Sequence, residues 1–224
     1  MSDSVNIAID GPAGAGKSTV AKLVSEELGF LYIDTGAMYR ALTLAAIREN
    51  VNTLNERDLS ELLSQCRIQL LVDQNGSRVL LNDKDVTTDI RSDEVNKAVS
   101  LVSSYQSVRE EMVERQRQLA SITNSVLDGR DIGTFVLPNA RLKVFLTATV
   151  TERARRRHEE QLSKGMPSDY EQLQADIAKR DELDSTRAFA PLKKAEDAVE
   201  IDTTTLSIAE VAQAITDLAK ERTL

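Results

Sequence analysis

A glycine-rich segment near the amino terminus ends in a lysine and two hydroxyl residues: Gly11-Pro12-Ala13-Gly14-Ala15-Gly16-Lys17-Ser18-Thr19. The apolar run before it predicts a buried strand, and the run after it predicts a helix. A strand-to-helix turn of this kind leaves backbone N–H groups pointing inward, and the helix dipole adds partial positive charge there. Lys17 is spaced to reach the β- and γ-phosphates of a nucleotide, and Ser18 to ligate Mg²⁺. The pattern G-x-x-x-x-G-K-[ST] in this context predicts that a nucleoside triphosphate binds here.

The elements around this loop alternate between strand and helix. A helix is predicted from about Lys17 to Leu28, where Gly29 would end it as a C′ glycine. Strands are predicted at Val5–Asp10, Phe30–Ile33, Ser125–Asp128, Leu142–Leu146 and Ala198–Asp202, and further helices near 37–48, 151–164 and 170–187. This alternation predicts an α/β fold, a three-layer P-loop sandwich with a five-stranded parallel sheet.

The middle of the chain departs from the alternation. Ile68–Asp73 and Arg78–Leu81 predict an antiparallel hairpin joined through an Asn-Gly turn, and Lys84–Val86 is a candidate third strand. Helices are predicted near 92–103 and 107–120. Two capping boxes, Ser168–Glu171 and Ser207–Glu210, predict the starts of later helices.

Composition excludes several classes of protein. The net charge of −8 disfavours nonspecific binding to nucleic acid and to anionic membranes. The single cysteine, Cys66, excludes an internal disulfide framework, fits a reducing compartment and is expected to be a small buried hydrophobe. With one histidine, His158, expected to face solvent, a structural zinc site is excluded. The first residues lack a signal peptide pattern and no apolar stretch reaches membrane-spanning length, so we expect a cytoplasmic protein.

Two further segments lie at carboxyl ends of predicted strands, where open α/β sheets bind ligands. In Asp34–Arg40, the Thr35 hydroxyl and the Arg40 guanidinium could both face a phosphate, but a helix N-cap and turn explains the segment equally well. In Asp128–Thr134, the first aspartate occupies the position where P-loop proteins hold Mg²⁺ through water. The Arg-Asp pair that follows could read the edge of a base, and a salt-bridged turn is the alternative.

Two basic segments lie on predicted helices. Four arginines fall within the five residues 153–157. Three of them share one helical face: Arg153, Arg156 and Arg157. A surface charge run is the default explanation, but in an acidic chain the cluster favours an anion partner, as a closing lid that stabilises a transferred phosphoryl group. Arg180, Asp184 and Arg187 have similar spacing, which an intrahelical ion-pair ladder explains about as well as ligand binding does.

Together these segments resemble the bacterial cytidylate kinases. The resemblance is carried by the glycine-rich loop, Asp34–Arg40, Asp128–Thr134 and Arg187–Leu192, in the same order and spacing over nearly the whole chain. The loop is generic, whereas Asp-Gly-Arg-Asp-Ile-Gly-Thr is specific. Thr35 stands where many members have serine, which keeps the hydroxyl, and Phe189 stands where valine is frequent.

The resemblance implies direct in-line phosphorylation of CMP and dCMP to CDP and dCDP in pyrimidine metabolism, by a monomer that uses ATP and Mg²⁺. The implied ATP-binding residues are Gly11 to Thr19, and the implied Mg²⁺ ligands are Ser18 and Asp128, the latter through water. The implied catalytic residues are Lys17, Arg130, Arg153 and Arg157. The implied CMP contacts are Thr35, Arg40, Ser100, Arg109, Arg130, Asp131, Arg180, Asp184 and Arg187. Among these, Arg40, Arg109 and Arg130 would hold the phosphate, Asp131 and Ser100 would read cytosine, and Arg180 and Asp184 would lie near the sugar.

The resemblance also implies a domain plan. The core domain would comprise residues 1–35 and 122–224, with a helical lid at about 151–168. The monophosphate-binding region would comprise residues 36–121, with an antiparallel insertion at about 66–90. Two alternatives stay open: a UMP/CMP kinase of broader specificity, and a P-loop switch or ATPase module that regulates a partner.

Overall fold

The computed structural model describes residues 4–73 and 76–223. Residues 1–3, and Gln74 and Asn75 of the predicted hairpin turn, lie outside the described residues. Within that range the strands are β1 (Asn6–Asp10), β2 (Leu31–Asp34), β3 (Ile68–Asp73), β4 (Gly76–Leu81), β5 (Lys84–Asp85), β6 (Ser125–Gly129), β7 (Leu142–Thr147) and β8 (Val199–Asp202). The α-helices are α1 (Lys17–Leu28), α2 (Thr35–Arg48), α3 (Glu56–Gln65), α4 (Asp93–Val102), α5 (Gln106–Ile122), α6 (Val150–Ser163), α7 (Tyr170–Thr186) and α8 (Ile208–Thr223). A 3₁₀ turn spans Asp89–Arg91, and a π-helical turn spans Ile132–Val136.

The larger sheet contains five strands in the order β2-β6-β1-β7-β8. β1 runs parallel to β7, with Ile7 opposite Leu142, and β7 runs parallel to β8. Ile7, Ala8 and Ile9 are fully buried, as expected of a central strand whose two faces are both covered. The predicted α/β fold with a five-stranded parallel sheet is confirmed.

The smaller sheet is antiparallel, in the order β3-β4-β5. Its hairpin pairs Ile68 with Leu81 at one end and Asp73 with Gly76 at the other. β4 therefore begins two residues before the predicted start at Arg78, because pairing continues up to the turn. The predicted antiparallel insertion is confirmed, including its short third strand.

The chain divides into two compact units. One comprises Leu31–Ser125, and the other comprises Val5–Phe30 and Val126–Leu224. The first unit has its own core, in which α2, α3, α4 and α5 bury apolar side chains such as Leu42, Leu59 and Met112. Cys66 is buried in this core directly after α3, as predicted, and burial raises the pKa of its thiol.

In the second unit, α1 packs against α8 and α6 packs against α7. Gly29 ends α1 in a left-handed conformation, φ 66°, and its amide N–H bonds back to the Glu26 carbonyl, as the sequence predicted. No helix in residues 4–73 and 76–223 is both long and apolar enough to cross a membrane. The assignment of a lid to 151–168 stays a prediction.

The two predicted capping boxes have different outcomes. At Ser207 the box forms, since Glu210 Oε2 accepts the Ser207 amide N–H at 2.8 Å and Ser207 Oγ accepts the Glu210 amide N–H at 3.3 Å. The prediction at Ser168 is wrong. Asp169 caps α7 instead, by accepting the Gln172 amide N–H at 3.0 Å, because the Ser168 hydroxyl donates to the Gln161 side chain.

His158 is half-buried rather than facing solvent, so that expectation is also wrong. Its Nδ1 lies 2.8 Å from Ser168 Oγ. Its ring meets the Tyr170 ring edge to face, with 5.9 Å between centroids. These contacts join the end of α6 to the start of α7, which the sequence pattern of scattered charges did not reveal.

Candidate active site

The glycine-rich loop lies between β1 and α1. Gly11 has φ 147°, and a Cβ atom there would lie 2.0 Å from the Leu146 carbonyl oxygen, so only glycine fits. Gly16 precedes α1 in a left-handed conformation, φ 86°, and has no side chain to cap the first-turn amides. The start of α1 therefore presents backbone N–H groups and the positive end of the helix dipole, an arrangement that binds phosphate.

Lys17 is buried, and its Nζ donates to the Pro12 carbonyl at 2.7 Å. Burial is the largest cause that lowers the pKa of Lys17, and the nearby positive charges of Arg130 and Arg180 lower it further. Asp128 and Asp10 act in the opposite direction. The ammonium group thus lies among other cations, where an anion would stabilise it.

Ser18 Oγ donates to Asp128 Oδ2 at 2.8 Å. Asp128 is buried near the carboxyl end of β6. In the described part of the chain no group of three or more His, Cys, Asp or Glu residues is arranged to hold a metal. Mg²⁺ bound with a nucleotide needs few protein ligands, because phosphate oxygens and waters complete its octahedron. A hydroxyl and a carboxylate beside a phosphate-binding loop therefore fit Mg²⁺.

Asp10 is a buried carboxylate that the sequence argument did not assign to the site. Its two oxygens accept the amide N–H groups of Ile132, at 2.8 Å, and Gly133, at 2.7 Å. Burial is the main cause that raises its pKa to about 7, and the negative charge of Asp131 adds to the rise. The two amide bonds and Lys17 lower the pKa. The sequence signal that could have found Asp10 is a carboxylate directly after three apolar residues of a predicted buried strand, Ile7 to Ile9.

The segment after β6 makes two ion pairs. Arg130 Nε donates to Asp184 Oδ2 at 3.0 Å. Arg187 Nη2 donates to Asp131 Oδ1 at 3.2 Å, and these two side chains are only 5% and 6% exposed. The salt-bridged turn considered from sequence is therefore present, and the same side chains are the ones that the resemblance assigns to the acceptor.

Arg180 lies on α7, with its Nε 3.9 Å from Asp184 Oδ2. Burial lowers the pKa of Arg180 to about 10, and Arg130 and Arg157 contribute to the shift. Burial alone would raise the pKa of Asp184, but Arg130 and Arg180 outweigh it, so the pKa is lowered. One carboxylate thus lies beside two arginines, and Asp181 also acts on Arg180.

Arg153 is buried on α6, and each of its three side-chain nitrogens contacts an oxygen of another residue. Its Nε donates to the Ala148 carbonyl at 2.9 Å, its Nη1 donates to the Ala13 carbonyl at 3.0 Å, and its Nη2 lies 2.6 Å from Asp181 Oδ2. It therefore joins the phosphate loop to α7. Asp181 was not singled out from the sequence, because an acidic residue in a charged helix carries no distinctive pattern.

The other arginines of α6 lie in different surroundings. Arg155 and Arg156 both donate to Glu152, and Arg156 also donates to the Thr203 hydroxyl at 3.1 Å. Arg157 is exposed, and its charge contributes to the lowered pKa of Arg180. The shared face predicted from spacing therefore contains one buried, one partly buried and one exposed arginine.

In the first unit, Asp34 caps α2 by accepting the Ala37 amide N–H at 2.8 Å. The N-cap alternative considered from sequence is correct, and Thr35 is the buried first residue of the helix. Arg40 Nη1 donates to Asn96 Oδ1 at 2.6 Å and to the Ile90 carbonyl at 3.3 Å. Asn96 therefore orients this arginine, a role that no sequence pattern signalled.

Arg109 is 2% exposed on α5. Its Nη1 donates to the Ser103 carbonyl at 3.0 Å, and its guanidinium carbon lies 5.4 Å from the centre of the Tyr39 ring. Ser100 is half-buried on α4, and its carbonyl accepts the Ser103 hydroxyl. A fully buried arginine is rare unless other groups compensate the loss of water, and Arg109 has a carbonyl acceptor and an aromatic face beside it.

In this parallel α/β fold, the first strand leads through a glycine-rich loop into a helix that begins with Lys-Ser. This arrangement defines the P-loop class of nucleotide-binding proteins. Two solved structures share the fold. One is an uncharacterised protein from Eubacterium ventriosum, with a TM-score of 0.52 and 12% identity over 98% of this chain and 99% of that one. The other is a gluconokinase from Sinorhizobium meliloti, with a TM-score of 0.50 and 14% identity over 97% and 93%.

The family model for cytidylate kinase matches residues 7–221. A cytidylate kinase from Halalkalibacterium halodurans is 64% identical over 218 residues, which cover 97% of this chain and 98% of the relative. One from Bacillus subtilis is 54% identical over 222 residues, 99% of each chain. The chain belongs to the cytidylate kinase family.

Proposed function

We propose that this protein transfers the γ-phosphoryl group of ATP to CMP and dCMP, giving ADP with CDP or dCDP. One structural observation carries the proposal within the second unit. Beside the glycine-rich loop, the positive charge of Arg130 lowers the pKa of both Lys17 and Arg180, and Arg180 also lowers the pKa of Lys17. Such mutual repulsion costs stability unless an anion binds there. Membership of the cytidylate kinase family supports the choice of acceptor.

On the donor side, the amides of Gly11–Thr19 and the Lys17 ammonium are proposed to bind the triphosphate. Lys17 would exchange its bond to the Pro12 carbonyl for phosphate oxygens. Ser18 and Asp128 would hold Mg²⁺, the carboxylate through water. Bound there, Mg²⁺ would neutralise part of the negative charge on the phosphates.

On the acceptor side, the residues proposed to contact the monophosphate are those that the family resemblance implies. The set in the first unit is Thr35, Arg40, Ser100 and Arg109. The set in the second unit is Arg130, Asp131, Arg180, Asp184 and Arg187. Guanidinium groups suit the phosphate because their planar forks bind two oxygens and keep their charge at neutral pH. An aspartate suits cytosine because the exocyclic amine donates where uracil has a carbonyl oxygen.

Phosphoryl transfer needs in-line placement and charge stabilisation more than covalent help. The acceptor oxygen is an anionic phosphate oxygen, so no general base is required. Lys17 and Arg130 are proposed to stabilise the charge on the transferred group. Arg153 and Arg157 are proposed as lid residues, with Arg153 bonding the loop carbonyl of Ala13. A lid that closes over both nucleotides would exclude water and limit ATP hydrolysis.

A coupled ADP-release assay across CMP, dCMP, UMP, AMP and GMP tests the proposal. CMP and dCMP should give the highest kcat/KM, and the rate without acceptor should be far lower. Equal use of UMP would favour a UMP/CMP kinase. ADP release that does not depend on any acceptor would favour a switch or ATPase module.

The Asp131→Asn variant refines the test, because an amide both donates and accepts where the carboxylate only accepts. Its preference for CMP over UMP should fall. Asp58→Asn, a change at an exposed position on α3, is the matched control. An unchanged preference in Asp131→Asn would contradict the proposed role of Asp131 in reading cytosine.

A further inference from the structure

Asp10 makes contacts that the proposed reaction does not use directly. It is 4% exposed at the end of β1, and both of its oxygens are occupied by amide N–H groups 122 and 123 positions further along the chain. A buried carboxylate is costly unless hydrogen bonds compensate the lost hydration. Its two bonds therefore tie the end of β1 firmly to one short stretch of backbone.

That stretch is the start of the π-helical turn Ile132–Val136. The Asp131 carbonyl accepts the amides of Phe135 and Val136, so the turn itself occupies its later amides. The first amides of a helical turn have no partner within it. Asp10 supplies acceptors for two of them, Ile132 and Gly133, from a neighbouring strand.

Close packing leaves this turn little freedom. A Cβ atom added at Gly133 would lie 3.1 Å from Lys143 Cδ and 3.4 Å from Asp10 Oδ2. The residues directly before the turn are Arg130 and Asp131, whose side chains pair with Asp184 and Arg187. The direction of these two side chains therefore depends on how the backbone at Ile132 is held.

We propose that Asp10 is a positioning residue for the acceptor: through the Ile132 and Gly133 amides, it fixes the backbone that aims Arg130 and Asp131. The inference rests on the proposed function, in which those two residues contact the phosphate and base of CMP. The end of β1 would then both lead into the glycine-rich loop and position the residues that bind the acceptor.

Asp10→Asn is the sharpest variant because it keeps the side-chain volume and one carbonyl acceptor. Its NH₂ group meets an amide N–H where the carboxylate had an oxygen, so one of the two anchors is lost. The KM for CMP should rise by about tenfold, and the CMP-to-UMP ratio of kcat/KM should fall by a similar factor. The KM for ATP should change less.

Ile215→Ala is the matched control. Ile215 is fully buried on α8, so the substitution destabilises the same unit without touching the turn. This control should lower the Tm while leaving the KM for CMP and the CMP-to-UMP ratio at wild-type values. A merely structural role for Asp10 would make Asp10→Asn behave in the same way.

Gly133→Ala provides a second approach if Asp10→Asn does not fold. Its added methyl group would lie 3.1 Å from Lys143 Cδ, tighter than an ordinary contact, so it should shift the turn at the amide that Asp10 holds and also weaken CMP binding and selectivity. Wild-type CMP kinetics and selectivity in the folded variants would overturn the positioning role. Failure of wild-type protein to phosphorylate CMP would instead overturn the proposed function, so the two failures are distinguishable.

Discussion

Arg130 donates its Nε–H to Asp184 Oδ2 across 3.0 Å, although the two residues lie 54 positions apart in the chain. The bond joins the segment after β6 to α7. Because Arg180 approaches the same carboxylate, Asp184 partly neutralises two cations that repel each other. Asp184 thereby fixes the direction of Arg130, which the proposed function assigns to the acceptor phosphate.

Asp184→Asn should destabilise the unliganded protein by about 3 kcal/mol, since removing one member of a buried ion pair leaves uncompensated charge. The KM for CMP should rise by about tenfold, because Arg130 loses the partner that orients it. CMP at a fixed concentration should raise the Tm of the variant less than that of wild type, because the variant binds CMP more weakly. Thermal unfolding with and without CMP measures this.

Glu182→Gln is the matched control, since Glu182 is exposed on the same helix. It should leave the Tm and the KM for CMP close to wild type. If CMP raised the Tm of Asp184→Asn as much as that of wild type, the proposed role of Asp184 in orienting Arg130 for CMP would be contradicted.

Lys17→Met should abolish activity without unfolding the protein. Loss of the ammonium removes charge stabilisation from the transferred phosphoryl group, and kcat should fall by about 10³-fold or more. The Tm should stay the same or rise, because a buried ammonium whose pKa is lowered costs stability and methionine keeps the methylene volume. Activity assays and thermal unfolding are the measurements.

Lys97→Met, on the exposed face of α4, serves as the control for general effects of the substitution and should behave as wild type. A marked drop in the Tm of Lys17→Met would mean that the bond to the Pro12 carbonyl is needed for folding, contrary to this prediction.

The strand and helix plan was predictable because it depends on local pattern. Apolar runs, Gly29 and the Ser207–Glu210 box each act over a few residues, and their predictions are confirmed. The error at Ser168 has a different cause. The hydroxyl of Ser168 is engaged by Gln161 on the preceding helix, a contact between helices that a local capping pattern does not contain.

The site residues that belong to a sequence motif were predictable. The residues that hold those motifs in place through tertiary contacts were not. Arg130 and Asp131 stand in a specific run of seven residues, so a resemblance could find them. Asp10, Asn96 and Asp181 act through contacts with distant parts of the chain. Partners of this kind are determined by tertiary structure, and one sequence carries no spacing that signals them.

The pH dependence of stability should report on Asp10. Burial raises its pKa to about 7, from 3.8 for the ordinary side chain. Between these values the native protein keeps a proton that the unfolded chain has released. The free energy of unfolding should therefore decrease as pH rises from about 4 to about 7, by at most about 1.4 kcal/mol per pH unit from this group.

Asp10→Asn has no proton to release at this position and should lack that contribution. Urea unfolding of both proteins at pH 5, 6 and 7 gives the comparison. The difference in unfolding free energy, wild type minus variant, should decrease steadily across this range. A constant or increasing difference would show that the carboxyl group is ionised in the native protein throughout.

Asp181→Asn should weaken the donor side more than the acceptor side. Arg153 spans from Asp181 Oδ2, at 2.6 Å, to the carbonyl of Ala13 in the phosphate loop, at 3.0 Å. Replacing the carboxylate by an amide leaves the buried guanidinium with neutral acceptors only, at a cost of about 1.5–3 kcal/mol in stability. The loop then loses a firmly held donor beside Ala13, so the KM for ATP should rise several-fold.

Steady-state kinetics at saturating CMP measure this change, and Asp176→Asn, at an exposed position of α7, should leave both KM values unchanged. An equal rise in the KM values for ATP and CMP would contradict a specific link between α7 and the glycine-rich loop, because Ala13, to which Arg153 donates, lies in the proposed donor site.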